Sequence, residues 1–396
     1  MLKVVLTRQV CLGMYIHALK GAWIDNPFWK KSFKLVDTAD LKKLQACGVK
    51  EVIIDICKGL DVADLAAHID LIAVDAIKSV QNPSRISAVE EHDRAKRIIS
   101  ASKAAVASMF HDVRMGKAIS AEAAMDLVDD IADSIARNES ALISLVRLKN
   151  KDDYTYMHSV AVCALMVALA KGLSLNADEI RSAGLAGLLH DIGKAAISMD
   201  VLNKPGALTE DEFALVRLHP ERGHALLLEA NISDEIVLDV CLHHHEKMNG
   251  LGYPHQLKAD DISLFARMGA VCDVYDAITS NRPYKEGWEP GVSLQRMAQW
   301  VDHFDDHIFK AFVKSVGIYP IGSMVKLKSG RLAVVIDQNA KTLLTPLVKV
   351  FFSTKSKTRI IIETVDLSAA GAQDSIVGHD DPALWGITDI SKIWSQ

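Results

Sequence analysis

The chain has 396 residues, with Lys+Arg 45 against Asp+Glu 50, a formal net charge of −5; hydrophobic residues make up 49% and charged residues 24%. This is the balance of an ordinary globular protein of two or three domains, and it excludes a disordered or fibrous chain. No stripe of Lys or Arg runs through it, which argues against a protein that coats a nucleic-acid polymer. The first ten residues show no apolar run before a small-residue cleavage site, and the most apolar stretch, 160–170, is too short to span a bilayer. The six cysteines (Cys11, Cys47, Cys57, Cys163, Cys241 and Cys272) have no CxxC spacing. They sit in apolar segments and are expected to be buried thiols in a reducing compartment. The expectation is a soluble, cytoplasmic protein with no membrane insertion.

In chain order, residues 1–82 mix strand and helix signals and predict a small α/β domain. A short strand is expected at 3–6. Capping residues at 37–40 open a helix through Leu41, Leu44 and Cys47, and a β-rich run follows at 49–57. Trp23, Phe28, Trp29 and Phe33 read either as the core of this domain or as an exposed partner-binding surface. Pro83 marks a hinge. Residues 83–149 then predict a helical connector of two long helices separated near Gly116, a pair able to pack on the next domain or, in a homodimer, on a second copy of the chain. Residues 150–316 are again helical and carry the chemistry. In 317–396 the texture changes to strands, expected at 324–327, 332–336, 347–352 and 359–363. The fold class is therefore multidomain and mainly α, with a catalytic helical domain between an N-terminal α/β domain and a small C-terminal β unit.

Eight of the 15 histidines fall between His158 and His255. Asn176 and Glu179 have capping-box spacing, and the helix they open runs to His190-Asp191 before Gly193 ends it. Alone, that His-Asp pair reads first as a hydrogen bond at a helix end. His158 lies near the start of an apolar helix. His219 is expected to end a helix capped by Thr209 and Glu212. His243-His244-His245 closes a helix capped by Ser233. Asp273 lies inside an apolar helix over 262–279, flanked by Cys272 and Val274. A carboxylate and several imidazoles delivered from apolar faces need a strong common partner, and a metal centre supplies one.

His190-Asp191-Ile192-Gly193-Lys194, then His219-Pro220-Glu221, then His244-His245-Glu246 through Gly250-Leu251-Gly252-Tyr253-Pro254, together with Asp273-Val274-Tyr275-Asp276 through Arg282-Pro283-Tyr284-Lys285, resemble the signature of the HD-GYP family. The likeness covers about 150–316. Gly13-Met14-Tyr15 and the run from Trp23 to Trp29 resemble a branch of that family with an uncharacterised N-terminal domain. The resemblance implies the all-helical HD phosphohydrolase fold and a bacterial phosphodiesterase of cyclic di-GMP. It implies that His158, His190, Asp191 and Asp273 bind one metal and that Asp191, His219, His244 and His245 bind a second, with Asp191 bridging. Some members bind a third metal through a Glu one turn before the first His. Tyr154 stands there, so two divalent transition metals are expected, iron or manganese by resemblance. The sequence departs from the family at Asn249, where an Asp is usual, and His243 reads as a neighbour of the cluster.

Two divalent ions sharing a hydroxide lower its pKa and orient it for in-line attack on phosphorus. Lys194, three residues beyond Asp191, is placed to reach a phosphate oxygen. Arg282 and Lys285 resemble the phosphate-contacting pair of the family. Tyr253 reads either as part of a tight turn or as a ring that stacks on guanine or contacts a partner. Tyr275 and Tyr284 read as packing residues, and Asp276 as a carboxylate that orients a ligand. The expected reaction is hydrolysis of cyclic di-GMP to the linear dinucleotide pGpG, with GMP as a further product. The rivals are hydrolysis of another cyclic dinucleotide, or a catalytically weak receptor that binds cyclic di-GMP or a diguanylate cyclase and signals by shape.

Overall fold

The structure is a computed structural model and describes residues 2–7, 10, 13–20, 32–35, 41, 44, 51–59, 88–146, 154–202, 204, 206–280, 287–339, 342–369 and 371–395. Trp23, Phe28, Trp29, the Pro83 hinge, Cys11, Cys47, Arg282, Tyr284 and Lys285 lie outside these residues. The chain divides into two compact units, Met1–Lys78 and Ser79–Gln396. The boundaries expected from sequence near 149 and 316 fall inside the second unit.

In the first unit, strands β1 (Leu2–Leu6), β2 (Tyr15–Lys20), β3 (Phe33–Lys34) and β4 (Glu51–Asp55) form an antiparallel sheet in the order β1-β4-β2-β3. Val5, Ile16, Val52 and Ile54 project from it into a small core with Met14, Leu35 and Leu44. Leu41 and Leu44 are helical, as the capping residues predict. Cys57 is exposed, against the expectation that every thiol is buried; it sits in the polar turn after β4, beyond the reach of this core.

The second unit opens with α1 (Ala88–Arg114) and α2 (Ala121–Val146), with Gly116 between them. Asn138 interrupts α2 with φ −157° and ψ 105°, a kink that the apolar periodicity did not signal. Just before it, Arg137 holds the fully buried Glu91 of α1 through Nε and Nη2, with three contacts of 3.0–3.1 Å, while Ser134 Oγ donates to the same carboxylate. Breaking a buried ion pair from one side costs about 3–5 kcal/mol, because the other charge stays behind. Arg94 Nη1 also reaches this carboxylate at 3.1 Å, so Glu91 keeps one cation. Arg137→Ala is therefore expected to lower stability by less than that, about 1–2 kcal/mol in urea denaturation; a loss below about 0.5 kcal/mol would show that the pair does not anchor α1 to α2.

Helix α3 (Tyr154–Gly172) is buried on all sides from Met157 to Ala170, which explains a run apolar all round yet too short for a bilayer. Among the described residues no helix is long and apolar enough to cross a membrane. After it come α4 (Ala177–Leu189), α5 (Met199–Leu202), α6 (Glu210–Val216), α7 (His219–Glu229), α8 (Glu235–His243), α9 (Leu264–Thr279), α10 (Pro290–Met297) and α11 (Asp306–Val316), and α3 packs against α1, α2, α4, α9 and α11. The capping boxes Asn176/Glu179 and Thr209/Glu212 are both formed. Three boundaries differ from the sequence expectation. Asp234 rather than Ser233 caps α8, since its carboxylate reaches the Ile236 and Val237 amides. Helix α9 begins after Ser263, not at 262. His219 opens α7 instead of ending α6, because Pro220 suits the first turn of a helix.

The chain closes with β5 (Met324–Leu327), β6 (Arg331–Asp337), β7 (Leu347–Ser353), β8 (Thr358–Asp366) and β9 (Ile376–His379), an antiparallel sheet in the order β8-β7-β6-β5-β9, followed by α12 (Ile390–Ser395). The first four strands are those expected from sequence. Both β9 and α12 are additions.

Candidate metal centre

Five helical elements of the second unit converge on one buried cluster. His158 comes from the first turns of α3 and Asp273 from the middle of α9. His190 caps the C-terminus of α4, and Asp191 follows it at the start of a short 3-10 turn, Ile192–Ala196. His219 is the first residue of α7; His244 caps the end of α8, with His245 next. His158, His190, Asp191, His219, His244 and Asp273 are all buried, and the His245 side chain retains 21% exposure. Gly193 does not end α4 as expected. It lies in the 3-10 turn, where a Cβ would come within 1.9 Å of the His219 carbonyl oxygen, so its missing side chain lets the His190-Asp191 turn close against α7.

The two oxygens of Asp191 face different imidazoles. Oδ2 lies 3.5 Å from His158 Nε2 and 3.4 Å from His190 Nε2, whereas Oδ1 lies 3.2 Å from His219 Nε2 and 3.9 Å from His244 Nε2. Asp273 Oδ1 is 3.0 Å from His158 Nε2, and its Oδ2 is 3.6 Å from His245 Nδ1. Three triads have ligand-capable atoms within 4.8 Å of one another: His158, His190 and Asp273; His190, Asp191 and His244; and His219, His244 and His245.

The far side of each ring fixes where its proton lies. Nδ1 of His190 donates to the Gly187 carbonyl at 2.8 Å, that of His219 to the Val216 carbonyl at 2.8 Å, and that of His244 to the Val240 carbonyl at 3.0 Å. A carbonyl can only accept, so Nε2 of each neutral ring presents a lone pair to the cluster. His158 is oriented in the same way by Asp276, whose Oδ2 accepts from Nδ1 at 2.6 Å. Nε2 of His219 and His244 thus face each other at 3.2 Å with no proton to share. His190 Nε2 and Asp191 Oδ1 are buried with no hydrogen-bond partner. Opposed lone pairs and orphaned buried atoms of this kind are what a divalent cation satisfies, and the imidazole and carboxylate donors suit a transition metal.

Protonation states agree with the geometry. Burial drives His245 down to about 3, and burial with the charges of His245, His190 and His219 holds His244 well below the usual imidazole value. Burial alone would raise Asp191, but Lys194 and His190 hold it well below the carboxylate range; burial likewise opposes Asp273, which His158 and His245 keep low. His158 goes the other way: burial lowers it, yet Asp273 and Asp276 leave it raised. Neutral His244 and His245 facing ionised Asp191 and Asp273 are the ligating forms of both groups, whereas His158, set between two carboxylates, holds its proton more tightly.

Lys194 reaches back to pair with Asp191 Oδ2. Tyr253 stacks on His245, with ring centroids 4.7 Å apart and planes at 30°. Its loop is held by Glu246, a buried residue that sequence reasoning passed over: the carboxylate accepts from the His255 amide at 2.7 Å and the Leu257 amide at 3.1 Å. Gly252 is tight against the backbone of 245–247, where a Cβ would meet Glu246 Cα at 2.5 Å. Asn249 makes the local turn contact open to either an amide or a carboxylate, its Oδ1 accepting from the Leu251 amide at 3.0 Å. His243 lies off the cluster, bonded to Asp239 at 2.7 Å and to His255 at 2.9 Å. Tyr275 packs edge-on against Phe312, as expected of a core residue.

A helical bundle that brings a His-Asp pair and further His and Asp side chains to one buried point defines an HD-domain protein, and residues 131–308 match the HD domain family. With the Gly250–Pro254 loop seated beside the cluster, the chain belongs to the HD-GYP family. Residues 2–124 match a domain of unknown function (DUF3391). A curated cyclic di-GMP phosphodiesterase of Pseudomonas aeruginosa is 53% identical over 398 residues, spanning 100% of this chain and 96% of the relative. A cyclic di-GMP phosphodiesterase response regulator of Xanthomonas campestris is 44% identical over 127 residues, 32% of this chain and 34% of the relative. A 3'3'-cGAMP-specific phosphodiesterase of Vibrio cholerae is 30% identical over 193 residues, 48% of this chain and 36% of the relative.

Proposed function

We propose that this protein hydrolyses cyclic di-GMP to linear pGpG on two divalent metals, held by His158, His190, Asp191 and Asp273 at one position and by Asp191, His219, His244 and His245 at the other. The observation that carries the reading is Asp191: buried, ionised, and directing each oxygen at a separate pair of imidazole lone pairs. When bound, two such ions supply a water of lowered pKa and neutralise charge on a phosphate oxygen. The protein's own part is positioning. The Gly187, Val216 and Val240 carbonyls and Asp276 keep four imidazoles in the ligating tautomer. Lys194, already beside Asp191, offers an ammonium to the phosphate oxygen on which charge builds.

The full-length relative at 53% identity supports cyclic di-GMP over other cyclic dinucleotides, and the donor set fits iron or manganese. Purified protein with either metal restored is expected to convert cyclic di-GMP to pGpG, followed by chromatography, and to turn over 3'3'-cGAMP at least tenfold more slowly. Faster turnover of 3'3'-cGAMP would reassign the substrate. Tight binding of cyclic di-GMP with no product would make the protein a receptor.

A further inference from the structure

Arg217 follows the last turn of α6 and lies two residues before His219. Its backbone amide closes the helix end on the Leu215 and Phe213 carbonyls, and its side chain extends from an exposed position. The guanidinium carbon stands 4.6 Å from the centroid of the Tyr253 ring. Tyr253 in turn stacks on His245. Guanidinium, phenol and imidazole therefore form one chain of flat groups leading from the surface to the metal cluster. Among the described residues no carboxylate pairs with Arg217 and no acceptor takes its side-chain N–H groups. A cation resting on an aromatic ring at the edge of an active site, with its donors unspent, is equipped to bind something that arrives with the substrate.

We propose that Arg217 is a specificity-determining residue that recognises a guanine base of the substrate, with Tyr253 as its support. This rests on the cyclic di-GMP reading above. The paired N–H donors of arginine match the O6 and N7 acceptors along one edge of guanine, whereas adenine presents an N6 donor in place of O6. A phosphate contact is the weaker reading, since Lys194 already supplies the cation beside the cluster.

The test compares wild type, Arg217→Ala and Arg217→Lys on cyclic di-GMP and cyclic di-AMP at matched metal content. Arg217→Ala is expected to raise KM for cyclic di-GMP about tenfold or more, with kcat changed less than about threefold. Its preference for guanine over adenine, as a ratio of kcat/KM values, should fall by about tenfold, within the range one bidentate base contact supplies. Arg217→Lys keeps the charge but loses the planar fork and should stay defective. Unchanged KM, equal loss on both nucleotides, or full rescue by lysine would overturn the proposal. If wild type turns over neither nucleotide, the phosphodiesterase reading fails by itself. Calorimetric Kd for cyclic di-GMP then decides for Arg217, with tenfold weaker binding by Arg217→Ala supporting the role and an unchanged Kd overturning it.

Discussion

Asp191→Ala is expected to remove metal and turnover together, with activity falling by about 10³-fold or more. Loss of one preorganised electrostatic contact already costs about 10²–10³ in rate. Asp191 is placed to serve both metal positions, because its two oxygens lie 3.2–3.5 Å from imidazole nitrogens on opposite sides. Removing it leaves Nε2 of His219 and His244 facing each other without the carboxylate oxygen that lies 3.2 and 3.9 Å from them. The fold should survive, since the α4 capping box lies at the other end of the helix and the apolar faces of α3 and α4 are untouched. Asp191→Asn keeps the shape and removes only the charge, so it separates packing from ligation. Metal analysis and steady-state kinetics on the same preparations check the result, and full metal content with full activity in either variant would contradict the bridging role.

Lys194→Ala has the second-largest expected effect and the opposite signature. Its ammonium stands beside Asp191 Oδ2 with 24% of the side chain exposed, near enough to the cluster to meet a bound phosphodiester and wet enough to move. Its charge is most needed as negative charge develops on phosphorus. The variant should therefore lose about 10²–10³ in kcat, with KM changed little and two metals per chain retained. If metal content falls in parallel with kcat, Lys194 acts by holding Asp191 in place. If neither changes, it plays no part in the reaction.

Much of the centre was legible in the sequence because its members break a local rule. Asp273 between Cys272 and Val274, and His158 at the head of a helix buried on all sides, are polar groups where only apolar ones are stable without a partner. Helix boundaries were less legible. Ser233 and Asp234 are both good caps, and the choice fell to Asp234 because its carboxylate also takes a hydrogen bond from Ser182, 52 residues earlier. His219 and Pro220 sit between two helices, and only the packed backbone shows which one they join. Glu246 and the Arg217–Tyr253 contact left no periodic trace, since each joins a loop to something distant in sequence. The strand Ile376–His379 escaped notice because its burial does not alternate: it is an edge strand, paired only with β5.

The most direct test of the account is a metal titration of the stripped protein, with cyclic di-GMP hydrolysis read at each step. Two positions sharing Asp191 predict that activity rises and reaches its plateau at two equivalents of iron or manganese per chain, with little at the first. A plateau at one equivalent, or hydrolysis independent of added metal, would contradict it.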